Sequence, residues 1–588
     1  MPAPRLVLTN RVSCCDGILD RHSGIYSGGV IPMPQTMTGK QALLEMLKAE
    51  GVEYIFGNPG TSEGPIIDML GDYPEFKYIL ALQESVAVGM GESYARATGT
   101  ASFVSLHVDS GLANGICLML DALNTGTPMV VTSANYDARK INEAKTDLAE
   151  LVRPVTKWAV ELTLPDQIPS AIRRAFNEAN SHPKGPVYVG FTSNALEATA
   201  EMNIVPSSKI DDASRPSLKG IHEAASLLAA SKKPMMIVGD RVSDDGAVDQ
   251  AVALAELLGL PVYQSRGAEV AFPTTHPQFM GNHSLRVPAD RDTLQQADVV
   301  LAIGMDTFDE LFYWGDVILG PAAKLIHIDP VQGRVGRSEP TDVGIISHCG
   351  LAIEELIGSL KTRLTPANGD EIKARAQTVV SGAVAKRRSF DASVSGKWDS
   401  RPMTPARMMD ELAKAIPSNA IVVDDAISNR AALRHYFHAA KRGDLVGVRG
   451  QAIGGGIGAT MGTQCAYPDR PVFGIIGDGS AMMTIQGLWT AANDNIPCIF
   501  VICNNGMYRV LKVNFNVYQR DILQLSEPAG SQLLYSDFPT PFDIAAIGRS
   551  MGVHGERIVE PEQIAPAVAR AVASGKPAVL DIVIDGSL

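Results

Sequence analysis

Two polar turns stand out because their side chains could bind a metal ion and a phosphate group. The turn Gly477-Asp478-Gly479-Ser480 follows one apolar run, and Asn504-Asn505-Gly506 follows another. Asp478 and Asn505 are 27 positions apart, which fits a strand–helix–strand unit whose strands end at one sheet edge, where ligands bind. Carboxylate, amide and carbonyl oxygens suit Mg²⁺, and the glycines let backbone amides approach a diphosphate at a helix start. Each turn alone is ordinary loop chemistry, but their joint placement predicts a Mg²⁺-diphosphate site.

This pair of turns resembles the diphosphate motif of the thiamine-diphosphate-dependent enzymes. The resemblance implies that Asp478 and Asn505 ligate Mg²⁺ through their side chains and that Met507 does so through its carbonyl. It implies further that the diphosphate is held by Gly477, Gly479 and Ser480. The same family needs a glutamate in its first domain and a bulky apolar residue in its third, and the chain offers a candidate for each.

The candidate glutamate is Glu84, which ends the segment Leu80–Glu84 just before a helix of small residues, Ser85–Gly99. By the resemblance, its carboxylate lies against the aminopyrimidine ring of the cofactor and shifts the ring's tautomer, so that the imine can remove the C2 proton. That role suits a partly desolvated carboxylate. Read alone, Glu84 would be an acid in the first turn of a helix, favoured by the helix dipole.

The candidate apolar residue is Ile453, in the segment Gln451–Gly456. This segment matches the one that bends the cofactor in the family, with Ile453 between its two rings; read alone, Ile453 would be a core residue beside a loop. The resemblance also assigns Gln451 and Ser428 to cofactor binding. Since Glu84 and the diphosphate turns lie in different domains, which in this family meet across two chains, it implies a homodimer as the minimum active unit and a homotetramer as the usual assembly.

Several segments narrow the resemblance to the benzoylformate decarboxylases. They are Phe56–Glu63, Ala81–Glu84, Leu106-His107, Asp121–Asn124, Val155–Trp158, Gly185–Tyr188, Phe272–Phe279, Leu488–Ala492 and Asn495–Pro497, and the match runs from about Thr38 to the C-terminus. Decarboxylation of a 2-oxo acid needs one proton for the alkoxide and another after CO₂ leaves, and two imidazoles can supply them. The resemblance implies that His107 supplies the first and His276 the second; read alone, each would be a surface histidine.

Three positions depart from the decarboxylase pattern. Thr61 stands where the family has the serine that binds the substrate carboxylate, so the hydroxyl is kept with an added methyl group. Arg509 replaces a glycine, and Asn514 replaces an aromatic residue that lines the aryl pocket. These changes predict a 2-oxo acid with a polar or charged distal group. The alternative is that Arg509 and Asn514 point away and that Val510 and Leu511 still line a pocket for an aryl ring.

The elements that must position these residues are short β-branched runs alternating with helical stretches, a pattern typical of parallel sheets covered by helices. We predict three doubly wound α/β domains: a pyrimidine-binding domain (38–195), a middle domain (215–362) and a diphosphate-binding domain (402–588), preceded by an N-terminal extension (1–37). The middle domain has no Gly-x-Gly-x-x-Gly after a strand, so a Rossmann dinucleotide site is not indicated. The predicted strands are Tyr54–Phe56, Tyr78–Leu80, Phe103–Ser105, Met129–Val131, Val187–Val189, Met235–Val238, Val262–Gln264, Val299–Ile303, Leu325–Ile328, Ile421–Val423, Val472–Ile476, Ile499–Cys503 and Ala578–Ile584.

Composition excludes several other classes of protein. The chain has 588 residues with a net charge of −13, which disfavours a nucleic-acid-binding surface. Its longest apolar runs fall well short of a membrane span. Seven cysteines without a Cys-x-x-Cys pair exclude a paired-thiolate zinc site and fit a reducing cytoplasm, and the first 37 residues lack the apolar segment of a secretory signal.

These observations predict a thiamine-diphosphate- and Mg²⁺-dependent, non-oxidative 2-oxo acid decarboxylase of the benzoylformate decarboxylase type. A second hypothesis keeps the cofactor but makes the chain a carboligase or lyase, similar to acetolactate synthase or 2-hydroxyacyl-CoA lyase. The pair of histidines favours the first, because an acceptor-ketone synthase does not need both. A third, a non-enzymatic partner protein on the same scaffold, is disfavoured by the presence of Glu84, Asp478 and Asn505.

Overall fold

A computed structural model describes residues 33–140, 145–265, 269–308, 310–448, 452–527 and 532–588. Within these ranges the strands form three six-stranded parallel sheets and a two-stranded antiparallel sheet. Central strands of all three sheets are buried along their whole length, as expected for parallel strands covered by helices on both faces. The predicted class, three α/β domains with parallel sheets, is confirmed. Residues 1–32 of the predicted extension, and Gln451, lie outside the described residues.

The first domain is built on a sheet with strand order β3-β2-β4-β5-β7-β6, and β1 pairs with β8 in an antiparallel ribbon. Its strands are β1 (Gln35–Thr38), β2 (Tyr54–Asn58), β3 (Lys77–Leu80), β4 (Ser102–Leu106), β5 (Met129–Asn135), β6 (Ala159–Leu162), β7 (Pro186–Thr192) and β8 (Thr199–Met202). Its α-helices are α1 (Gly39–Ala49), α2 (Gly64–Leu70), α3 (Glu84–Thr98), α4 (Ser110–Thr125), α5 (Leu148–Val152), α6 (Ile168–Asn180) and α7 (Ser193–Glu197), with 3₁₀ turns at Thr61–Glu63, Arg153–Val155 and Pro165–Gln167.

The middle domain has the order β11-β10-β9-β12-β13-β14. Its strands are β9 (Pro234–Val238), β10 (Val262–Gln264), β11 (Phe279–Asn282), β12 (Val299–Ile303), β13 (Lys324–Asp329) and β14 (Val343–Ile346). Its helices are α8 (Leu218–Ala230), α9 (Asp240–Asp244), α10 (Val248–Leu258), α11 (Pro288–Gln296) and α12 (Cys349–Lys361), with a 3₁₀ turn at Gln332–Arg334. The charged stretch after it forms the 30-residue helix α13 (Pro366–Ser395).

The third domain has the order β16-β15-β17-β18-β20-β19. Its strands are β15 (Ile421–Asp425), β16 (Leu445–Gly447), β17 (Val472–Gly477), β18 (Ile499–Asn504), β19 (His554–Ile558) and β20 (Ala578–Val583). Its α-helices are α14 (Pro405–Ala415), α15 (Arg430–Tyr436), α16 (Gly455–Ala466), α17 (Asp478–Met483), α18 (Gly487–Asn493), α19 (Arg509–Val517), α20 (Ile544–Ser550) and α21 (Ile564–Ser574). It also has 3₁₀ turns at Ile427–Asn429 and Pro561–Gln563 and a π-helical turn at Tyr518–Ile522.

The first and third domains share one hydrophobic core. A single cluster of buried side chains runs from Phe56 to Tyr188 in the first domain and from Ile421 to Val579 in the third. Helices α3 and α16 meet at its centre, and they approach so closely that a Cβ atom on Gly458 would lie 2.9 Å from the carbonyl oxygen of Val86. The middle domain has separate clusters of its own, so the two cofactor-binding halves are packed as one body.

A buried ion pair joins all three domains. Arg96 at the end of α3 pairs with Glu269 of the middle domain (Nη2–Oε1 2.7 Å), and the two side chains are 7% and 3% exposed. The same guanidinium donates to the carbonyl of Gly447, at the end of β16 (2.7 Å). Since Gly447 ends β16, this contact ties helix α3 of the first domain to the sheet of the third.

Candidate active site

The two turns singled out in the sequence lie together at the carboxyl edge of the third sheet. Strands β17 and β18 are parallel neighbours, with Gly477 opposite Cys503. The Asp478 carboxylate is 2% exposed and joins the turns directly, because Oδ1 accepts from the Gly479 amide and Oδ2 from the Gly506 amide, both at 2.7 Å. Burial raises the pKa of Asp478 to about 6.

The donor atoms at this edge are oxygens. The side-chain oxygen of the half-buried Asn505 accepts from the Met507 amide (3.1 Å), while Asn504 is held inward by Asp581 (2.8 Å). Among the described residues, no group of three or more His, Cys, Asp or Glu side chains could hold a metal ion. One carboxylate, one amide oxygen and backbone carbonyls form a donor set that fits Mg²⁺, which takes few protein ligands and completes its shell with phosphate and water oxygens.

A second group of contacts surrounds Ser480. Its hydroxyl donates to Asp425 Oδ2 (2.6 Å) and accepts from the Gly454 amide (2.8 Å). Ile453, beside Gly454, is 45% exposed, so its apolar surface is available to a ligand. The geometry therefore connects the end of β15, the start of α16 and the first turn of α17 into one cradle.

The half-buried Ser428 lies in the 3₁₀ turn that follows β15. Its neighbour Ile427 has φ +50°, a left-handed conformation that is strained for a β-branched residue. Such strain persists only where the surrounding structure holds it, and it is frequent at ligand sites. The left-handed conformation of Ile427 turns the chain at the sheet edge where Asp478 and Ser480 lie.

Glu84 is the first residue of α3 and is 6% exposed. Both carboxylate oxygens accept hydrogen bonds from amide side chains: Oε1 from Asn58 at the end of β2 (2.9 Å) and Oε2 from Asn114 on α4 (3.0 Å). The two amides fix the plane of the carboxylate. Asn58 and Asn114 were not predicted as site residues, although Asn58 belongs to the quoted segment Phe56–Glu63.

His107 lies close to Glu84. A Cβ atom on Gly111, between them, would lie 2.7 Å from His107 Cβ and 3.2 Å from Glu84 Oε1. The His107 Nδ1 atom faces Glu63 Oε2 (2.9 Å) and Ser62 Oγ (3.0 Å). Because a carboxylate only accepts hydrogen bonds, Nδ1 carries a hydrogen, and Nε2 is the ring nitrogen directed away from this pair.

Glu63 is a residue of the candidate site that sequence reasoning missed. Its carboxylate is fully buried and accepts from Ser62 Oγ (2.9 Å), the Gly60 amide (3.0 Å) and the Ala134 amide (2.8 Å), besides facing His107. The adjacent Thr61 is exposed, whereas Ser62 is half-buried and contacts the histidine. The structure thus places the hydroxyl of Ser62, rather than that of Thr61, against His107.

The structure does not bring His276 to His107 through any contact among the described residues. Nδ1 of His276 accepts from the Gln278 amide (3.2 Å), Nε2 faces Glu256 (3.4 Å), and the ring packs edge-on against Phe272. Both ring nitrogens are engaged within the middle domain. The predicted proton transfer by His276 therefore rests on the resemblance of its segment.

The two polar substitutions on α19 also have partners. The Arg509 guanidinium donates twice to the carbonyl of Ser587 (3.0 Å each). Asn514 Oδ1 accepts from Arg286 of the middle domain (2.9 Å). Val510 is half-buried and Leu511 is 45% exposed, so α19 offers both apolar surface and a charged neighbour in Arg286.

Comparison with known proteins agrees with this geometry. Three family models of thiamine pyrophosphate (thiamine diphosphate) enzymes match: the N-terminal TPP-binding domain over residues 37–154, the central domain over 221–356 and the C-terminal TPP-binding domain over 427–582. The chain belongs to the thiamine pyrophosphate enzymes. The predicted family is confirmed, and thiamine diphosphate is the cofactor that its two binding domains are built to hold.

The chain is similar both to a decarboxylase and to a synthase of this family. The chain is 28% identical to benzoylformate decarboxylase of Pseudomonas aeruginosa, over 93% of this chain and 98% of that one. It is also 28% identical to a probable acetolactate synthase large subunit of Methanocaldococcus jannaschii, over 93% and 92%. Among solved structures, it resembles the thiamine diphosphate-dependent 4-hydroxybenzoylformate decarboxylase of Rhodococcus jostii RHA1 with a TM-score of 0.79 and 26% identity, over 93% and 99%. In the described part of this thiamine pyrophosphate enzyme, no helix is long and apolar enough to cross a membrane.

Proposed function

We propose that this chain uses thiamine diphosphate and Mg²⁺ to decarboxylate a 2-oxo acid non-oxidatively, releasing CO₂ and an aldehyde. The observation that carries the proposal is the contact between buried Glu63 and half-buried His107 beside Glu84, since a positioned imidazole and a positioned carboxylate are what the two proton transfers require. Asp478, Asn505 and the Met507 carbonyl would hold Mg²⁺. Gly477, Gly479, Ser480, Ser428, Gln451 and Ile453 would hold the cofactor.

The bound cofactor would supply the carbon nucleophile and accept the electron pair left by CO₂. In this chain, Glu84 holds and exchanges a proton at a carboxyl oxygen that Asn58 and Asn114 keep in a fixed plane. His107 exchanges a proton with the substrate oxygen through Nε2, because Glu63 fixes the hydrogen on Nδ1. By the resemblance, the hydroxyl of Thr61 would orient the substrate carboxylate, whereas the hydroxyl of Ser62 donates to Glu63 and faces His107.

We expect the two histidines to affect different halves of the cycle. His107→Ala should slow the first release of CO₂, whereas His276→Ala should leave a normal first release of CO₂ followed by slow release of aldehyde. Rapid-quench measurement of both products in one turnover checks this. His554→Ala, an exposed histidine paired with Glu556, is the matched control. Identical time courses for the two variants would contradict the division of roles.

A panel of substrates tests the proposed function. We expect 2-oxo acids with a polar or charged distal group to exceed unsubstituted benzoylformate in kcat/KM by about tenfold, roughly the value of one hydrogen bond. The motivation is the Arg286–Asn514 contact on α19, together with the similarity to a 4-hydroxybenzoylformate decarboxylase. Benzoylformate, its 4-hydroxy analogue and a carboxylated aliphatic 2-oxo acid should be compared. A tenfold preference for benzoylformate would reject the polar pocket and leave Val510 and Leu511 as the aryl-binding wall.

The second candidate is a carboligase, which the equal similarity to acetolactate synthases favours. Product analysis separates the two hypotheses. A decarboxylase releases the aldehyde from a 2-oxo acid, whereas a carboligase forms an acyloin with an aldehyde acceptor or a 2-hydroxy-3-oxo acid with a second molecule of 2-oxo acid. Failure of every 2-oxo acid to release CO₂ would reject the decarboxylase proposal.

We also propose that each site is shared between two chains, in a homodimer or a homotetramer. Several apolar side chains of the first and third domains are exposed: Leu82, Leu120, Ile453 and Met483. If the site is shared, mixing the inactive variants Glu84→Gln and Asp478→Ala should restore roughly a quarter of the activity, because half of randomly formed dimers carry one intact site. Mixing Glu84→Gln with His107→Ala should restore none, since both residues come from the first domain. No recovery in the first mixture would place the site within one chain.

A further inference from the structure

A buried acid that the proposed function does not use lies inside the diphosphate cradle. Asp425 is the last residue of β15, and no part of it is exposed to solvent. Strand β15 is the parallel neighbour of β17, with Asp425 opposite Ile476, so the side chain lies one strand away from the turn that carries Asp478 and Ser480.

The two carboxylate oxygens of Asp425 differ in their hydrogen bonds. Oδ2 accepts from Ser480 Oγ (2.6 Å) and from the Gly456 amide (3.1 Å). Oδ1 is buried and has no hydrogen-bond partner among the described residues. Since a buried carboxylate oxygen without a donor is costly, Oδ1 is the position where a proton would be carried.

Among the described residues, no charged side chain donates a hydrogen bond to the Asp425 carboxylate. Arg430 and Arg434 point their donors at Asp424 Oδ2, the preceding residue, at 2.9 and 3.1 Å. The positive charge of Arg430 lowers the pKa of Asp425, and the negative charge of Asp424 raises it. The Cys503 thiol on β18 carries no charge, because burial raises its pKa. Burial is the largest influence and raises the pKa of Asp425 to about 7.

We propose that Asp425 is a proton-bearing positioning residue of the cofactor cradle, neutral when the diphosphate is bound and able to take up one proton as the diphosphate enters. The proton comes from the buffer and forms the Oδ1–H bond, and Oδ2 continues to accept from Ser480 and Gly456. The physical reason is that an anionic diphosphate next to Ser480 would repel a second buried negative charge. This inference concerns cofactor binding, and it rests on the part of the proposed function that places the diphosphate at Ser480.

The sign of the pH dependence follows. Asp425 would be neutral in the complex and would ionise near pH 7 in the free protein. The affinity for the cofactor should therefore be highest below pH 7, where Asp425 is already protonated before the cofactor binds. Above pH 7, the free protein must gain a proton on binding, so the affinity for the cofactor falls by up to about tenfold for each pH unit. Asp425→Asn cannot ionise, and its affinity should lack this component.

The experiment is calorimetric titration of the full-length protein with thiamine diphosphate and Mg²⁺ at pH 8, in buffers of different ionisation enthalpy. Wild-type protein should take up about one proton more than Asp425→Asn, because one group is linked. The matched control Asp494→Asn removes another acid of the third domain whose pKa burial raises, and it should behave as wild type. In a Glu84→Gln background the difference should remain, which separates Asp425 from the acid of the first domain.

A measurement on the wild-type chain alone covers the case in which Asp425→Asn does not fold. Infrared difference spectra with and without cofactor should show a new protonated carboxyl band, which shifts when aspartate carries ¹³C in its side-chain carboxyl. Equal proton uptake in wild type and Asp425→Asn, or cofactor binding without that band, would overturn the inference while leaving the proposed function intact. Absence of any cofactor binding to wild type would instead reject the proposed function.

Discussion

Glu84→Gln is expected to slow turnover by ~10²–10⁴-fold while the cofactor still binds, the range typical for loss of a general acid–base group. Glutamine keeps the size of the side chain but does not exchange a proton at neutral pH. In the structure both oxygens of Glu84 accept from amide donors, so either Asn58 or Asn114 must rotate its amide to face the new NH₂ group. The direct measurement is hydrogen–deuterium exchange at C2 of the bound cofactor.

The control for this variant is Glu45→Gln, a first-domain glutamate that accepts from the Tyr73 hydroxyl and lies outside the candidate site. It should exchange and turn over like wild type. If C2 exchange in Glu84→Gln is as fast as in wild type, the role assigned to Glu84 is wrong, even if turnover is slower for another reason.

Asp478→Ala is expected to abolish Mg²⁺-dependent retention of the cofactor. A buried charge that loses its partner typically costs ~3–5 kcal/mol, which corresponds to roughly 10²- to 4 × 10³-fold in Kd. The variant also removes the acceptor for the Gly479 and Gly506 amides. Asp478→Asn should therefore be measured beside it, since asparagine keeps the size and one acceptor oxygen but loses the charge.

Calorimetry with thiamine diphosphate, with and without Mg²⁺, checks this prediction. Both variants should bind the cofactor equally weakly whether or not Mg²⁺ is present, and Asp494→Ala, in the same domain, should keep the Mg²⁺ effect. Retention of Mg²⁺-dependent binding in Asp478→Asn would show that the metal is held elsewhere.

The central strands could be predicted from sequence because burial on both faces makes them continuously apolar. Examples are β9 and β12, whose residues are all buried. The strands that were missed include the sheet edges β6, β11, β14, β16 and β19. In β14, buried and exposed residues alternate, and an alternating run of four residues is a weak signal beside a turn.

Some contacts of the candidate site could also be predicted from sequence, and others could not. The pairing of Asp478 with the Asn504–Gly506 turn follows from parallel-strand geometry, and local spacing was enough to find it. Glu63 lies 44 positions before His107 and meets it because β2 and β4 are neighbours. A sequence without a sheet order cannot supply that pairing. The contacts of Asn514 with Arg286, 228 positions away, were beyond prediction for the same reason.

The shared core has a consequence for how the chain holds itself together. Tyr188 and Ile421 contribute to one cluster although 233 positions separate them, and the middle domain occupies most of that interval. In polymer terms the middle domain is a tether, which sets the effective concentration at which the first and third domains meet. A chain cut within that interval would keep its two halves associated by non-covalent contacts alone, and its stability would then depend on protein concentration, as that of a bimolecular complex does.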